Sequence, residues 1–182
     1  MRLVLFLLLT ALAACSSPPR ERFYTLDAAE PPAAADAALS IAVGPVTIPD
    51  LVDRPQFVVR LGANQVSITE QARWAEPLKS AIARVVAANL ASALSARAVS
   101  QRNAEADYRV ALDVQRFDSG PGDSVLIDAA WTVVSSKGAR RSGRSVMQEK
   151  LKTMEYGAVA AGHSAALAAI SREIAQAIRE QK

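Results

Sequence analysis

Residues 108–133 read YRVALDVQRFDSGPGDSVLIDAAWTV, and this stretch decides the fold class. Residues 108–114 alternate apolar and polar side chains, which is the period of a half-buried strand. The sequence SGPGD at residues 119–123 is a strong turn signal. Residues 125–133 alternate again, so the stretch predicts a long antiparallel hairpin. Trp131 falls on the apolar face of this hairpin and is predicted to lie in the core.

Further strands are predicted on the N-terminal side of this hairpin. Residues 57–61 and 65–69 flank a short Gly/Asn turn and predict a second hairpin, and residues 22–26 predict a small strand. Residues 41–49 form another strand candidate, which Gly44-Pro45 interrupts. Proline cannot donate a ladder hydrogen bond, so this strand should be an edge strand or carry a bulge. As an edge strand it could accept a partner strand by β-augmentation.

Two long helices complete the pattern. Pro77 opens the first, which runs to about residue 96 with Leu78, Ile82, Val85, Val86, Leu90 and Leu94 on one face. The second begins at about Gly157 and places Leu167, Ile170, Ile174 and Ile178 on one face. A weaker, polar strand is predicted at residues 145–153. The order, approximately β-β-β-α-β-β-β-α, predicts one α/β domain of α+β layers, in which a mixed β-sheet with antiparallel hairpins is packed by two long helices.

The N-terminus has the pattern of an export signal. Arg2 precedes an apolar run at residues 3–14, which as a helix would be about 18 Å long and therefore too short for a hydrocarbon core of about 30 Å. We interpret residues 1–14 as a signal peptide. The run ends in Leu12-Ala13-Ala14-Cys15, which is the lipobox pattern of bacterial lipoproteins, and Cys15 is the only cysteine in the chain.

Lipidation is therefore predicted at Cys15, with diacylglycerol on the thiol and an acyl chain on the new amine. Ser16 follows it and favours sorting to the outer membrane. We assign residues 15–38 to the lipidated N-terminus and tether, which include the short strand, and residues 39–182 to the folded domain. If the strand docks on the domain, eight positions between Cys15 and Phe23 keep the domain within roughly 26–29 Å of the membrane.

Composition excludes several classes of function. One Cys and one His in 182 residues exclude a Cys/His zinc site and a disulfide framework. Removing the signal peptide leaves 20 basic against 18 acidic residues, or +2, and aromatic residues are only 5%, so no nucleic-acid surface is expected. The chain has no Gly-x-Ser-x-Gly elbow and no phosphate-binding loop. We expect no enzyme activity, no metal and no cofactor besides the lipid on Cys15.

Three polar groups are candidates for partner binding. Asp53-Arg54-Pro55-Gln56 is either a partner-binding loop or a structural turn in which Asp53 caps an amide. Arg73-Trp74 either contacts a partner or places Trp74 under the first helix, with Arg73 stacked on it or paired with Glu76. The third group is a basic cluster that consists of Lys137, Arg140, Arg141 and Arg144. It either faces anionic headgroups or an acidic patch, or it is a solvated hairpin turn.

The order and spacing of several short strings carry a family resemblance. These strings are Phe23-Tyr24-Thr25-Leu26, Val43-Gly44-Pro45-Val46, Asp53-Arg54-Pro55-Gln56 and Arg73-Trp74-Ala75-Glu76-Pro77-Leu78 behind a lipobox. Together they resemble the PqiC-type ABC transport auxiliary lipoprotein family over nearly the whole mature chain. The resemblance implies a fold related to anticodon-binding domains. Gly162-His163 departs from the family pattern, which usually has an uninterrupted C-terminal helix there, and puts the start of that helix in question.

The resemblance also implies a function. Such lipoproteins face the periplasm from the outer membrane and work with transporters that carry mammalian-cell-entry (MCE) domains, which move phospholipid or other lipids between the two membranes. We expect this chain to dock the MCE component at the outer membrane, and some family members look like homo-oligomeric rings. The alternative is a lipoprotein that serves outer-membrane assembly or envelope integrity, in the manner of lipopolysaccharide-transport or Tol-type accessory proteins.

Overall fold

The computed structural model describes residues 20–29, 38–99, 105–120 and 123–181. The predicted signal peptide and Cys15 lie outside these ranges. Within them, eight strands and two helices follow one another in the order ββββαββββα. Their bounds are β1 Arg22–Tyr24, β2 Ser40–Thr47, β3 Gln56–Arg60, β4 Val66–Trp74, α1 Leu78–Leu94, β5 Arg97–Val99, β6 Tyr108–Gly120, β7 Ser124–Ser135, β8 Arg140–Lys150 and α2 Tyr156–Arg179.

The strands form two sheets, each with parallel and antiparallel pairs. The smaller sheet has the order β1-β4-β3, in which β1 is parallel and β3 antiparallel to β4. The larger sheet has the order β5-β2-β6-β7-β8, in which β2 is parallel to both of its neighbours and the remaining pairs are antiparallel. The predicted layered fold with mixed strands and two long helices is confirmed, and the strands are shared between two sheets.

The β6–β7 hairpin is the centre of the larger sheet, as the alternation of its residues predicts. Its register pairs Tyr108 with Ser135 at one end and Gly120 with Ser124 at the turn. Leu112 lies opposite Trp131 on the face that the helices cover, and both side chains are buried. The indole Nε1 of Trp131 donates to Ser145 Oγ at 2.9 Å, which satisfies the one polar group of this core residue.

Strand β2 carries the predicted bulge but is not an edge strand. The ladder register between β2 and β6 shifts between Val43 and Val46, where Gly44 has a φ of +137° that L side chains rarely adopt. The expectation of an edge strand is wrong because β5 pairs with the first three residues of β2, on the side opposite β6. No sequence pattern predicts β5, because it is only three residues long and shows no alternation of apolar and polar side chains.

The helix boundaries agree closely with the sequence pattern. Pro77 is the N-cap of α1, and its carbonyl accepts the amides of Ser80 and Ala81. Helix α2 runs from Tyr156 to Arg179 without a break at Gly162. A Cβ at Gly162 would lie 2.5 Å from Leu151 Cδ2 and 3.0 Å from Val125 Cγ2. The glycine therefore allows close packing of the helix on the sheet and does not interrupt the helix.

One hydrophobic core joins both sheets and both helices. The helices pack against each other, with α1 on β2 and β5 and α2 on β7 and β8. The smaller sheet contacts the larger one where β3 meets β6, and β1 contacts α2. Leu26, just after β1, is completely buried. No helix in the described ranges is long and apolar enough to cross a bilayer.

Candidate partner-binding surface

The structure brings the two predicted partner-binding strings together at the smaller sheet. Gln56, at the start of β3, lies opposite Arg73 near the end of β4. The amide of Trp74 donates to the carbonyl of Pro55 at 2.7 Å, which fixes the turn before β3 against the end of β4. Asp53 and Arg54 belong to that turn. We call the four polar residues of this group, Asp53, Arg54, Gln56 and Arg73, the DRQR surface.

The turn that carries Asp53 is held by its own backbone and by helix α1. The amide of Val52 donates to the carbonyl of Pro49 at 3.0 Å, and the Asp53 carboxylate lies 2.6 Å from the Nζ of Lys79. Both side chains of this ion pair are more than a third exposed, so it contributes little to stability. Arg54 is half-buried, and its Nε has no hydrogen-bond partner in the described part of the chain. Backbone hydrogen bonds therefore hold the turn in place, whereas the side chain of Asp53 is exposed to solvent.

Arg73 lies on β4, the central strand of the smaller sheet. It lies between Phe23 of β1 and Gln56 of β3. Its guanidinium forms ion pairs with Glu21 at 3.0 Å and Glu70 at 3.3 Å. The predicted pairing with Glu76 is not formed, because the carboxylate of Glu76 forms an ion pair with Arg84. Arg73 therefore links β4 to the segment that leads into β1.

Trp74 lies beneath this surface and forms its floor. Its ring stacks on Phe57 with centroids 4.0 Å apart and planes 19° apart, and only 7% of the residue is exposed. Tyr24 and Tyr156 meet Phe57 edge-on, each at 5.4 Å, and Phe117 meets Trp74 at 6.2 Å. The aromatic cluster joins β1, β3, β4, β6 and α2, so the DRQR surface stands on a rigid base.

A polar network around Arg84 holds the end of β1 against helix α1, and no sequence pattern predicts it. The guanidinium of Arg84 donates to the Leu26 carbonyl at 2.8 Å, to Thr25 Oγ1 at 3.0 Å and to both carboxylate oxygens of Glu76. The hydrogen bond from Arg84 is the main reason that the pKa of Glu76 lies below its usual value. No local pattern predicts this network, because Arg84 and Leu26 are 58 positions apart.

The basic cluster divides into paired and solvated residues. Arg144 donates two hydrogen bonds to the carboxylate of buried Asp128, at 2.8 and 2.6 Å, and these bonds lower the pKa of Asp128. Arg141 forms an ion pair with Glu180 at 2.5 Å. Lys137 and Arg140 are exposed and have no ion pair in the described ranges. Only Lys137 lies in the β7–β8 turn, whereas Arg140, Arg141 and Arg144 belong to β8, and the last two are paired with acidic residues.

His163 belongs to the core. It is completely buried, stacks on Phe117 at 3.8 Å, and its Nε2 lies 2.9 Å from Ser119 Oγ. Burial lowers the pKa of His163 to about 3, so the ring is neutral at physiological pH. The residues that the structure describes contain no group of three or more His, Cys, Asp or Glu side chains that could hold a metal ion.

Two solved structures resemble this chain over most of its length. One, described as the crystal structure of an uncharacterized protein, has a TM-score of 0.76 at 21% identity and covers 87% of this chain and 99% of its own. The other is a Xanthomonas campestris protein of the DUF330 family, with a TM-score of 0.67 at 20% identity, which covers 88% of this chain and 100% of its own. These TM-scores show a shared fold. A search of curated proteins found no significant match.

A family model, described as ABC-type transport auxiliary lipoprotein component, matches residues 24–175. The match begins within β1 and ends within α2, so it includes every element that builds the DRQR surface. It agrees with the resemblance that the sequence strings carry. The chain therefore belongs to the family of ABC-type transport auxiliary lipoprotein components.

Proposed function

We propose that this chain is a non-catalytic outer-membrane lipoprotein subunit of an MCE-type ABC transport system for lipids, phospholipids above all. Diacylglycerol and an N-acyl chain on Cys15 hold it in the membrane, and the domain faces the periplasm. There it docks the MCE component of the transporter. Family membership supports a transporter partner, and the resemblance of the sequence strings supports the MCE component as that partner.

The observation that carries this proposal is the position of the DRQR surface beside the strand that follows the anchor. Phe23 lies opposite Arg73, and Glu21 forms an ion pair with the same arginine. Only eight positions separate Cys15 from Phe23, which limits the distance from the membrane to this corner to roughly 26–29 Å. A transporter component that extends across the periplasm therefore meets the DRQR surface when it reaches the outer membrane.

The surface has the properties that a docking site needs. Arg54 and Arg73 are half-buried, and arginine is among the residues that contribute most to binding at protein interfaces. The stacked Phe57–Trp74 pair below them holds the backbone of both strings in place. A surface that is ordered before binding loses little conformational entropy when a partner docks. We therefore assign partner contact to Asp53, Arg54, Gln56 and Arg73, with Trp74 as their support.

Capture of the MCE protein tests the docking surface. The acylated lipoprotein, solubilised in detergent, is immobilised and mixed with the MCE protein whose gene lies nearest in the genome. Wild type should retain the partner, and the Asp53→Ala/Arg54→Ala variant should retain much less. The control is Lys137→Ala/Arg140→Ala, which also replaces two charged residues by alanine but at the far β7–β8 turn and the start of β8, and it should bind as wild type does.

The outcomes separate the proposals. Equal retention by wild type and the Asp53→Ala/Arg54→Ala variant removes that turn from the interface. Failure of wild type to retain the MCE protein overturns the docking function. Capture of lipopolysaccharide-transport or Tol components in its place supports the alternative function in envelope assembly.

A separate experiment tests the anchor. Cells that express wild type or Cys15→Ser are labelled with a palmitate analogue and fractionated into inner and outer membranes. Label is expected only on wild type and only in the outer-membrane fraction. Label on both proteins, or on neither, contradicts the lipidation of Cys15, and label in the inner-membrane fraction contradicts the location.

Self-association is a further part of the proposal. The family resemblance suggests a homo-oligomer, in which several copies surround one transporter component. Native mass spectrometry of the acylated protein released from detergent distinguishes a single chain of 19.3 kDa, less its signal peptide, from a ring of several copies. A single-chain mass at every accessible concentration contradicts the oligomer.

A further inference from the structure

The end of the β3–β4 hairpin is uncharged and carries two exposed large apolar side chains. Residues 61–69 read LGANQVSIT, which contains no charged side chain. Leu61 is 55% exposed and Ile68 is 41% exposed, which places both among the most exposed large apolar residues of the described chain. Leu61 and Ile68 are therefore available to bury apolar surface against another molecule or phase.

The hairpin end has one exposed apolar side chain on each of its faces. Val58 lies opposite Ile68 and Val59 opposite Ser67, so successive side chains of β3 point to opposite faces. Val58 packs against the core, and Val59 and Val66 are half-buried. The amide of Leu61 donates to the carbonyl of Gln65, which continues this register and places Leu61 and Ile68 on opposite faces. Neither exposed side chain is covered by the domain.

The register of β1 directs the anchored end of the chain toward this tip. Strand β1 is parallel to β4, with Arg22 beside Ala72, so Arg20 and Glu21, which lead into β1, lie on the side of the hairpin end. The ion pair between Glu21 and Arg73 holds this entry against β4. Cys15 is seven positions before Arg22, a reach of about 23–25 Å. Gln65 is likewise seven positions before Ala72, about 23 Å along an extended strand.

The charges near the hairpin end are compatible with a lipid headgroup layer. Asp118 beside the hairpin is neutralised by Arg60 at 3.2 Å and by Arg116 at 2.7 Å. Arg20 and Arg22 are exposed at the entry to β1 and form no ion pair with described residues. Basic side chains close to an anionic bilayer contribute favourably to binding.

We infer that the tip formed by residues 61–69 inserts into the headgroup region of the bilayer that holds the lipid anchor. The inference rests on the proposed anchor at Cys15, because the anchor brings the tip and the bilayer to the same level. A lipid anchor alone leaves the domain free to rotate about its tether. A second contact through Leu61 and Ile68 fixes the orientation of the DRQR surface relative to the membrane.

Fluorescence in vesicles tests this insertion. The native thiol of Cys15 is occupied by its lipid, so the full-length acylated protein with Ala63→Cys carries one reactive thiol for an NBD probe. The protein is reconstituted in vesicles of phosphatidylethanolamine and phosphatidylglycerol, with and without a phospholipid that carries a nitroxide quencher on its headgroup. The matched control is Val146→Cys, at an apolar residue of β8 that is 56% exposed and remote from the tip.

The NBD probe at residue 63 should emit at shorter wavelength on vesicles and be quenched by the headgroup nitroxide, whereas the probe at residue 146 should change little. Adding Leu61→Asp and Ile68→Asp should abolish quenching at residue 63 without releasing the protein from the vesicles. Both side chains are exposed, so these changes do not disturb the core.

Flotation of the vesicles separates the two ways in which the proposal fails. Protein that floats with an unquenched tip overturns the insertion and leaves the anchor intact. Acylated wild type that does not float overturns the anchor at Cys15 and the insertion with it. A tip that becomes shielded only after the MCE protein is added is a protein contact, and this result also overturns the insertion.

Discussion

The indole of Trp74 stacks on the ring of Phe57 with their centroids 4.0 Å apart. The contact joins the end of β4 to the start of β3, directly under Asp53, Arg54, Gln56 and Arg73. Trp74 therefore acts on the DRQR surface by supporting it from the core. A side chain that supports a surface and one that contacts a partner respond differently to substitution, which makes the role of Trp74 testable.

The first prediction separates these two roles with two substitutions at the same position. Trp74→Ala leaves a cavity in the aromatic cluster and should lower the free energy of unfolding by about 3–5 kcal/mol. Trp74→Phe keeps a ring on Phe57 and should lose much less stability and retain the MCE partner. Urea unfolding of the Cys15→Ser chain measures stability, and the capture assay measures binding. Loss of binding by a stably folded Trp74→Phe variant would show direct contact.

The second prediction concerns the contact between Gly143 in β8 and Trp131 in β7. A Cβ at Gly143 would lie 2.3 Å from the indole Cζ2, and this ring is buried and held by the hydrogen bond from its Nε1 to Ser145 Oγ. Gly143→Ala should therefore destabilise the protein by about 1–3 kcal/mol, as overpacked core substitutions do. Gly62→Ala is the control, because nothing lies within 4 Å of its Cβ position. Equal unfolding midpoints in urea for the two variants would contradict the close contact.

Local sequence patterns account for most of the elements. The β6–β7 hairpin, the β3–β4 hairpin and both helices follow from alternation, turn residues and helical spacing, which act within a few positions. Strand β5 is missed, because three residues carry no period, and β8 begins at Arg140, five residues before the strand predicted at residues 145–153. The division into two sheets is not visible in the sequence. The pairing of β1 with β4 joins Arg22 to Ala72, which are 50 positions apart in the chain, and no local pattern predicts such a contact.

The candidate surface was predictable only in part. The strings that contain Gln56 and Arg73 flank the predicted hairpin, so their approach follows from strand pairing. The partners of each charge do not follow, because ion pairing depends on contacts between distant elements. Arg73 pairs with Glu21 rather than Glu76, because Arg84 of α1 already holds the Glu76 carboxylate.

The third prediction concerns the link between Arg84, Glu76 and β1. Arg84→Ala removes the donor to the Leu26 carbonyl and should speed hydrogen exchange of the Ala75 amide, which donates to the Tyr24 carbonyl at 2.8 Å. Arg109→Ala, an exposed change in β6, is the control and should leave this amide unaffected.

The same link should respond to acid. The pKa of Glu76 is lowered in the folded state, so its contribution is present above the unfolded pKa of about 4.5 and is lost as the pH falls through the folded value. Protection of the Ala75 amide in wild type should therefore decrease in acid. In Arg84→Ala it should already be low and change less. Identical pH profiles of exchange in the two proteins would remove Arg84 from the link.

The fourth prediction follows from the burial of His163 as a neutral ring. Its pKa is lowered to about 3 in the folded state, against about 6.5 in an unfolded chain. Between these values the unfolded state binds the proton and the native state does not, so stability should fall by up to about 1.4 kcal/mol per pH unit on acidification. The carboxylates with lowered pKa, Glu76, Asp107 and Asp128, add to acid sensitivity mainly below about pH 4.5.

The His163→Phe/Ser119→Ala variant isolates this contribution. Phenylalanine retains the stack on Phe117, and removing the Ser119 hydroxyl avoids leaving a buried polar group without its partner. Urea unfolding of the Cys15→Ser chain from pH 6.5 to 4.5 should show a sloping stability for the parent and a nearly flat one for the variant. Parallel slopes would mean that His163 takes up a proton in the native state, which requires water or an acidic partner at Nδ1, the ring nitrogen that has no hydrogen bond in the described core.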